Sequence, residues 1–181
     1  MLDTYNLENV GLEENQVVLM NLHEKCKLIF EYEKQVILKH LQDLCITIEH
    51  VGSTSIKGVL AKPIVDIAVG VQDLNVLKSI PPILINAGYE HLHEHGSEDR
   101  LLFVKRVNNR CFLHIHVEIY QGESWQNHVL FKKYIQENSQ ALFEYNQIKE
   151  QLAAVYSNDR ELYTTGKANF IQSCIQKAKH K

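Results

Sequence analysis

The stretch from Cys45 to Val71 constrains the fold more than any other part of the chain. Two runs rich in β-branched residues, Cys45 to Val51 and Ile64 to Val71, flank a turn that reads Gly52-Ser53-Thr54-Ser55-Ile56-Lys57-Gly58. Pro63 precedes the second run, at the position where a strand tolerates a missing N–H. Both runs read as strands. Alternation then puts Asp66, Ala68 and Gly70 on one face of the second strand and Val65, Ile67 and Val69 on the other. A carboxylate on a central strand needs a partner, and three kinds are open to Asp66: a metal ion, the glycine turn or a nearby lysine.

Around this core the chain alternates between the two periodicities. Val17 to Met20 has the composition of a short strand. Asn21 followed by Glu24 marks a helix start, and apolar residues at 22, 26, 29, 30, 37, 41 and 44 predict one long amphipathic helix over about 22–44. Asp73 caps a short helix through Ser79, Pro81-Pro82 interrupts it, and a further turn ends at Gly88. Leu101 to Val107 and Arg110 to Tyr120, joined by Asn108-Asn109, form a hairpin signal, because asparagine tolerates the positive φ angles of a tight turn. Beyond Gly122 the spacing is helical: about 125–137, 140–156 and 163–178, with Ser124 and Ser139 as caps. The predicted fold is α+β, a small mixed β-sheet with flanking helices and a helical C-terminal third. One domain is expected over residues 1–181, with the sheet core at about 45–120 and the helical part at about 123–181.

Composition narrows the function classes. The 181 residues, 45% hydrophobic and 23% charged, suffice for one sizeable core. A formal net charge of −3 argues against duplex nucleic acid as a partner. No apolar run approaches the roughly 20 residues needed to span a bilayer, and Met1-Leu2-Asp3-Thr4 lacks the features of a secretory signal, so a cytoplasmic protein is expected. Cysteines 26, 45, 111 and 174 form no Cys-x-x-Cys pair and read as free, mostly buried thiols.

Glycine and serine at a strand end let the backbone approach a phosphate, with exposed amides and the Ser53 hydroxyl as donors. No Walker motif is present, since Gly58 is followed by Val59-Leu60.

Taken in order, His50-Val51-Gly52-Ser53-Thr54-Ser55, Lys62-Pro63-Ile64-Val65-Asp66-Ile67, His114-Ile115-His116-Val117, Phe131-Lys132-Lys133-Tyr134 and Tyr163-Thr164-x-x-Lys167 resemble the GrpB family from about residue 16 to the C-terminus. That family is grouped with the polymerase-β-like nucleotidyltransferases. The resemblance implies a small mixed sheet flanked by helices, with a nucleotide site at the glycine-serine turn. Two departures stand out. Lys57 occupies a position where the family usually carries proline. Superfamily transferases hold magnesium with two carboxylates one residue apart, and here Ala68 replaces the second, as in the family at large.

A second strand offers replacements. In Arg110 to Tyr120, alternation places His114, His116 and Glu118 on one face. In the resembling fold that strand lies beside the one carrying Asp66, so Glu118 with His114 or His116 is expected to meet Asp66; the alternative is a face turned to water or to the C-terminal helices. Candidate metal ligands are Asp66, His114, His116 and Glu118, with magnesium or manganese expected and zinc an alternative. Candidate catalytic residues are Asp66 and Glu118. Gly52, Ser53, Thr54, Lys62, Lys149 and Lys167 are the candidate phosphate-binding residues. The set His91, His93 and His95 reads as a solvated edge. The leading expectation is a nucleotide-binding protein that transfers a nucleoside monophosphate from a triphosphate to an unknown small-molecule or protein acceptor. Its rivals are a binding module without chemistry and a metal-dependent phosphate-ester hydrolase. A homodimer through the C-terminal helices is the partner expected beyond nucleotide and acceptor.

Overall fold

The structure is a computed structural model and describes residues 7–180. The start of the chain, read above for a signal segment, lies outside them. Five strands form one mixed sheet in the order β1-β2-β5-β4-β3: β1 Thr47–Val51, β2 Val65–Val71, β3 Glu90–His91, β4 Arg100–Val107 and β5 Arg110–Ile119. β2 and β5 run parallel, and every other neighbouring pair is antiparallel. Six α-helices complete the fold: α1 His23–Leu41, α2 Leu74–Asn86, α3 Glu123–Glu137, α4 Ser139–Val155, α5 Arg160–Gly166 and α6 Ala168–Lys179. The α+β plan, the mixed sheet and the helical C-terminal third agree with the sequence reading.

Local chemistry explains most boundaries. Asn108 and Asn109 adopt φ of 50° and 62°, the paired positive angles that a two-residue turn requires between right-twisted strands. Gly88, at φ 90°, closes α2: its N–H reaches Ile85 O and that of Tyr89 reaches Leu84 O, satisfying two terminal carbonyls.

Several expectations are corrected. Pro81 and Pro82 lie inside α2 and do not interrupt it. The stripe Leu77, Ile80 and Leu84 is buried on the sheet side, which offsets the hydrogen bonds that two prolines on the more open side cannot make. Leu22, with no side-chain bond, occupies the cap position of α1 in place of Asn21. Val17 to Met20 contributes a single bridge, Met20 with Ala61. Neither serine caps its helix: Gly122 precedes α3, and Asn138 caps α4 by accepting from Ala141 N–H. The final expected helix is two, α5 and α6, meeting at Lys167.

The sheet separates two clusters. On one face Val65, Ile67, Val69, Leu113, Ile115 and Val117, all fully buried, pack against Ile29, Phe30 and Ile37 of α1 and the apolar stripe of α2. Each such side chain contributes about 1.5–3 kcal/mol by leaving water. The other face is crossed by α3, against which α6 packs, and the C-terminal helices make their own apolar cluster around Phe131, Tyr145 and Ile175. The four cysteines are free thiols, three of them buried. Among the described residues, no helix is long and apolar enough to cross a membrane.

Candidate functional site

The site begins where β1 ends. Gly52 takes φ 66°, and a Cβ added there would lie 2.4 Å from Asp66 Oδ2. Glycine is therefore required twice, for the backbone angle and for the space the carboxylate occupies. Ser53–Ser55 make one tight helical turn, pinned by Ser55 Oγ donating to Gly52 O at 2.7 Å. Ser53 Oγ meets the Tyr145 hydroxyl at 3.0 Å. The Thr54 hydroxyl is buried, donating to Ile64 O and accepting from His50 Nε2 at 3.1 Å. It braces the turn from below.

The register of β2 and β5 puts Asp66 beside His114, Ala68 beside His116 and Gly70 beside Glu118. His114 Nδ1 is 3.1 Å from Asp66 Oδ1, and His116 Nε2 is 3.6 Å from the same oxygen. Burial works against charge on Asp66, yet the two imidazoles hold its carboxyl well below the usual carboxylate range. Burial likewise opposes the His114 imidazolium, but hydrogen bonds to Asp66 and Cys111 raise it to about 9. His116 moves the other way: burial and the neighbouring His128 and His114 lower it, outweighing Asp66.

Glu118 does not join Asp66 directly, because the register carries it four residues further along the sheet. Its partner is His128 of α3, whose Nε2 lies 3.2 Å from Glu118 Oε1. The polar face thus holds two overlapping clusters, Asp66-His114-His116 and His116-Glu118-His128, joined at His116. His128 is the residue that sequence reasoning missed. Its signal was present but weak: Trp125, His128 and Lys132 recur at helical spacing, and that stripe of α3 faces the sheet.

A cleft of about 350 Å³ opens over the first cluster, within the usual size of small-molecule sites. Gly52, Ser53, Asp66, His116 and Lys167 line its polar side with Arg100, Asn127 and His128, while Phe131, Ile171 and Ile175 form an apolar wall. Of the expected phosphate ligands, Gly52, Ser53 and Lys167 line this cleft. Lys62 and Lys149 do not line it. Lys149 is fully buried, donates to Leu60 O and lies 4.7 Å from the Tyr145 ring centroid. Lys62 and Lys167 both lie against the Tyr163 ring, at 5.4 and 4.6 Å from its centroid. Burial, reinforced by Lys167 and Arg160, lowers Lys62 to about 7, and burial lowers Lys167 to about 8. The histidines at 91, 93 and 95 do not join the site; His93 and His95 are exposed, and Phe103 stacks on His91.

A family model described as "GrpB protein" matches residues 16–177. The chain belongs to the GrpB family. It is 35% identical over 170 residues to the "Glutamate-rich protein GrpB" of Alkalihalophilus pseudofirmus, covering 92% of this chain and 98% of that protein. The UPF0157 protein YqkA of Bacillus subtilis is 30% identical over 164 residues, 91% of this chain but 47% of YqkA. The crystal structure of conserved protein GrpB from Enterococcus faecalis superposes with TM-score 0.80 at 26% identity, covering 89% of this chain and 96% of that one. The fold extends further. The Cid1 poly(U) polymerase bound to MgGTP superposes with TM-score 0.53 at 13% identity, covering 81% of this chain and 45% of Cid1, so this GrpB chain has a nucleotidyltransferase-like fold.

The Cid1 structure holds magnesium with GTP, and magnesium is an ion that takes oxygen ligands almost exclusively. The GrpB face does not fit a pair of such ions. Ala68 is 1% exposed and packs with Val51 and Trp125, so the position of a second carboxylate is apolar core. The groups nearest Asp66 are imidazoles, a donor set suited to softer divalent ions.

Proposed function

We propose that the cleft binds a nucleoside triphosphate and that the protein transfers its nucleoside monophosphate to a small-molecule or protein acceptor. The observation that carries this reading is the contact between turn and strand, where Gly52 lacks the one atom that would collide with Asp66, so that backbone donors and a carboxylate meet in one cleft. In the proposal the Gly52-Ser53 turn supplies donors to phosphate oxygens. Lys167 and Arg100 offset phosphate charge, while Phe131, Ile171 and Ile175 face the nucleoside. Asp66, ionised and held by two histidines, is a poor base; its part is to orient the acceptor hydroxyl. The acceptor oxygen forms the new bond to the α-phosphorus, the bond to the bridging oxygen breaks, diphosphate leaves and the acceptor proton passes to water. Thr54, Lys62 and Lys149 support the walls of the site.

Calorimetric titration with the four common triphosphates in the presence of magnesium or manganese tests the binding step. Micromolar binding that Gly52→Ala weakens, with Asp66→Asn lowering label transfer more than binding, supports the reading; no binding to any triphosphate sinks it. A phosphate near Lys62 and Lys167 raises both pKa values, so binding at pH 8 takes up protons, and the apparent enthalpy varies with the buffer's ionisation enthalpy. Transfer is read as radiolabel moving from an α-labelled triphosphate to an acceptor with release of diphosphate.

The apolar packing of Ala68 favours a second reading, nucleotide binding without transfer. Stoichiometric binding with no label transfer across a broad acceptor panel would select it. If water serves as the acceptor, the same assay reports a phosphate-ester hydrolase.

A further inference from the structure

The buried end of the polar face holds atoms that the nucleotide reading leaves without a purpose. Glu118 is 0% exposed, and one of its oxygens, Oε2, is buried with no hydrogen-bond partner. His116 Nδ1 is buried and likewise unpartnered. Leaving a buried acceptor unpaired costs about 1–3 kcal/mol each, more for a charged group. These two buried atoms stand beside a third potential donor atom, on His128.

We propose that His116, Glu118 and His128 form a mononuclear site for a borderline divalent ion of the manganese, iron, cobalt or zinc class, set beside the nucleotide cleft. One donor atom from each of the three residues lies within 4.8 Å of the other two. His128 Nε2 and Glu118 Oε1 are 3.2 Å apart, and the His116 and His128 rings have centroids 5.1 Å apart. Ligands about 2.1 Å from one ion stand about 3–3.5 Å apart in a tetrahedral or octahedral shell, so little movement assembles the set. Two imidazoles and one carboxylate form a mixed donor set that favours these ions over magnesium or calcium.

The surroundings fit the role of each ligand. Asp66 Oδ1 faces His116 Nε2 at 3.6 Å, so a proton on that nitrogen would point at the carboxylate and leave the lone pair on the unpartnered Nδ1. A carboxylate behind a ligating histidine is the usual way its tautomer and orientation are set. Asp66 thus acts on the ion through His116 while also lining the cleft, so the metal and the nucleotide share one positioning residue. His116 and His128 both line the cleft, so an ion held by them would stand at its edge, within reach of water or a phosphate oxygen.

The inference stands independently of the nucleotide reading, and its test uses metal alone. Full-length protein stripped with chelator and re-purified is titrated with cobalt(II), following ligand-field absorbance, with thermal unfolding recorded for each variant. The expected result is one equivalent bound with the intense visible bands of a low-symmetry site and a rise in unfolding temperature. His128→Gln, on the more open side of the set, is expected to lose at least about a hundredfold in affinity while unfolding near the metal-free wild-type temperature. Glu118→Gln loses the bands as well. His114→Gln, which removes a residue of the Asp66 cluster only, keeps stoichiometric binding, and Asp66→Asn keeps it about 10–100-fold weakened. Loss of cobalt in His114→Gln with retention in His128→Gln moves the ion to the Asp66 cluster and overturns the proposal, as does the absence of stoichiometric binding by the wild type. Failure of triphosphate binding leaves these outcomes unchanged.

Discussion

The two faces of the sheet contain histidines that behave in opposite ways. On the face toward α1, His50 is buried and stacks on Phe30 with ring centroids 5.0 Å apart. Burial, with the nearby Lys132 charge, lowers it to about 3. On the other face His114, also in a largely enclosed setting, is raised to about 9 by its partners despite burial. The neighbours differ. His50 has a threonine hydroxyl and an aromatic ring, which suit a neutral imidazole; His114 has a carboxylate, which suits a cation. One face is built mainly for cohesion, and a carboxylate buried there, Glu33, is met by Lys105 at 2.8 Å. The other holds ionic groups in place, and that stabilises the fold less but creates a site.

Truncating the cohesive face should produce the largest effect. Ile67→Ala and Ile115→Ala, at positions fully buried between β2, β5 and the helices, are expected to cost about 2–5 kcal/mol each by urea denaturation, with triphosphate affinity of the folded fraction unchanged. A selective loss of affinity would show that the faces are not separable. Ala68→Asp comes next. It restores the sequence pattern of paired carboxylates but buries the new group against Trp125, so a loss of about 3 kcal/mol or more is expected with no gain in label transfer. Enhanced transfer would mean that the apolar packing of Ala68 is not what limits chemistry.

The His50 contrast makes a pH prediction. Its ordinary value of 6.5 is lowered to about 3 in the folded chain, so between those values the unfolded chain binds more protons. Its contribution to stability is therefore complete above about pH 6.5 and is lost as pH falls toward 3, on the order of a few kcal/mol in total. His50→Gln should flatten that part of the stability profile, and NMR of the imidazole should show no protonation in the wild type at pH 5. On the site face, Gly52→Ala combines positive-φ strain with displacement of Asp66, and about a thirtyfold loss of triphosphate affinity is expected. Lys167→Met should have the smallest effect, about tenfold in affinity, consistent with one charge-assisted contact.

Legibility from sequence followed the range of the physics. The Asn108-Asn109 hairpin and the Gly88 cap were readable because each depends on backbone angles that few residues adopt. The opposed faces of β2 and β5 were readable from period-two alternation, and the turn from Gly52 with a carboxylate placed downstream. Pro81-Pro82 misled because their local cost was visible and the buried stripe that offsets it was not. Lys149 looked like a phosphate ligand, but its side chain ends on Leu60 O in the interior, an arrangement set by how α4 lies over the turn. Lys105 and Arg106, two other cations along the hairpin, are engaged by Glu33 and Glu90, carboxylates far away in sequence.

Sequence alone determined most of the elements, the face on which Asp66, His114, His116 and Glu118 lie, and the family, because these depend on periodicity, turn chemistry and ordered motifs. Only the tertiary structure decided which of those groups meet. The parallel register of β2 and β5 sets Asp66 beside His114 and Glu118 beside Gly70, and the docking of α3 supplies His128 to Glu118. Register and docking are long-range matters: a side chain's partner across a sheet is chosen by how whole strands and helices pack, and no local residue pattern encodes that distance.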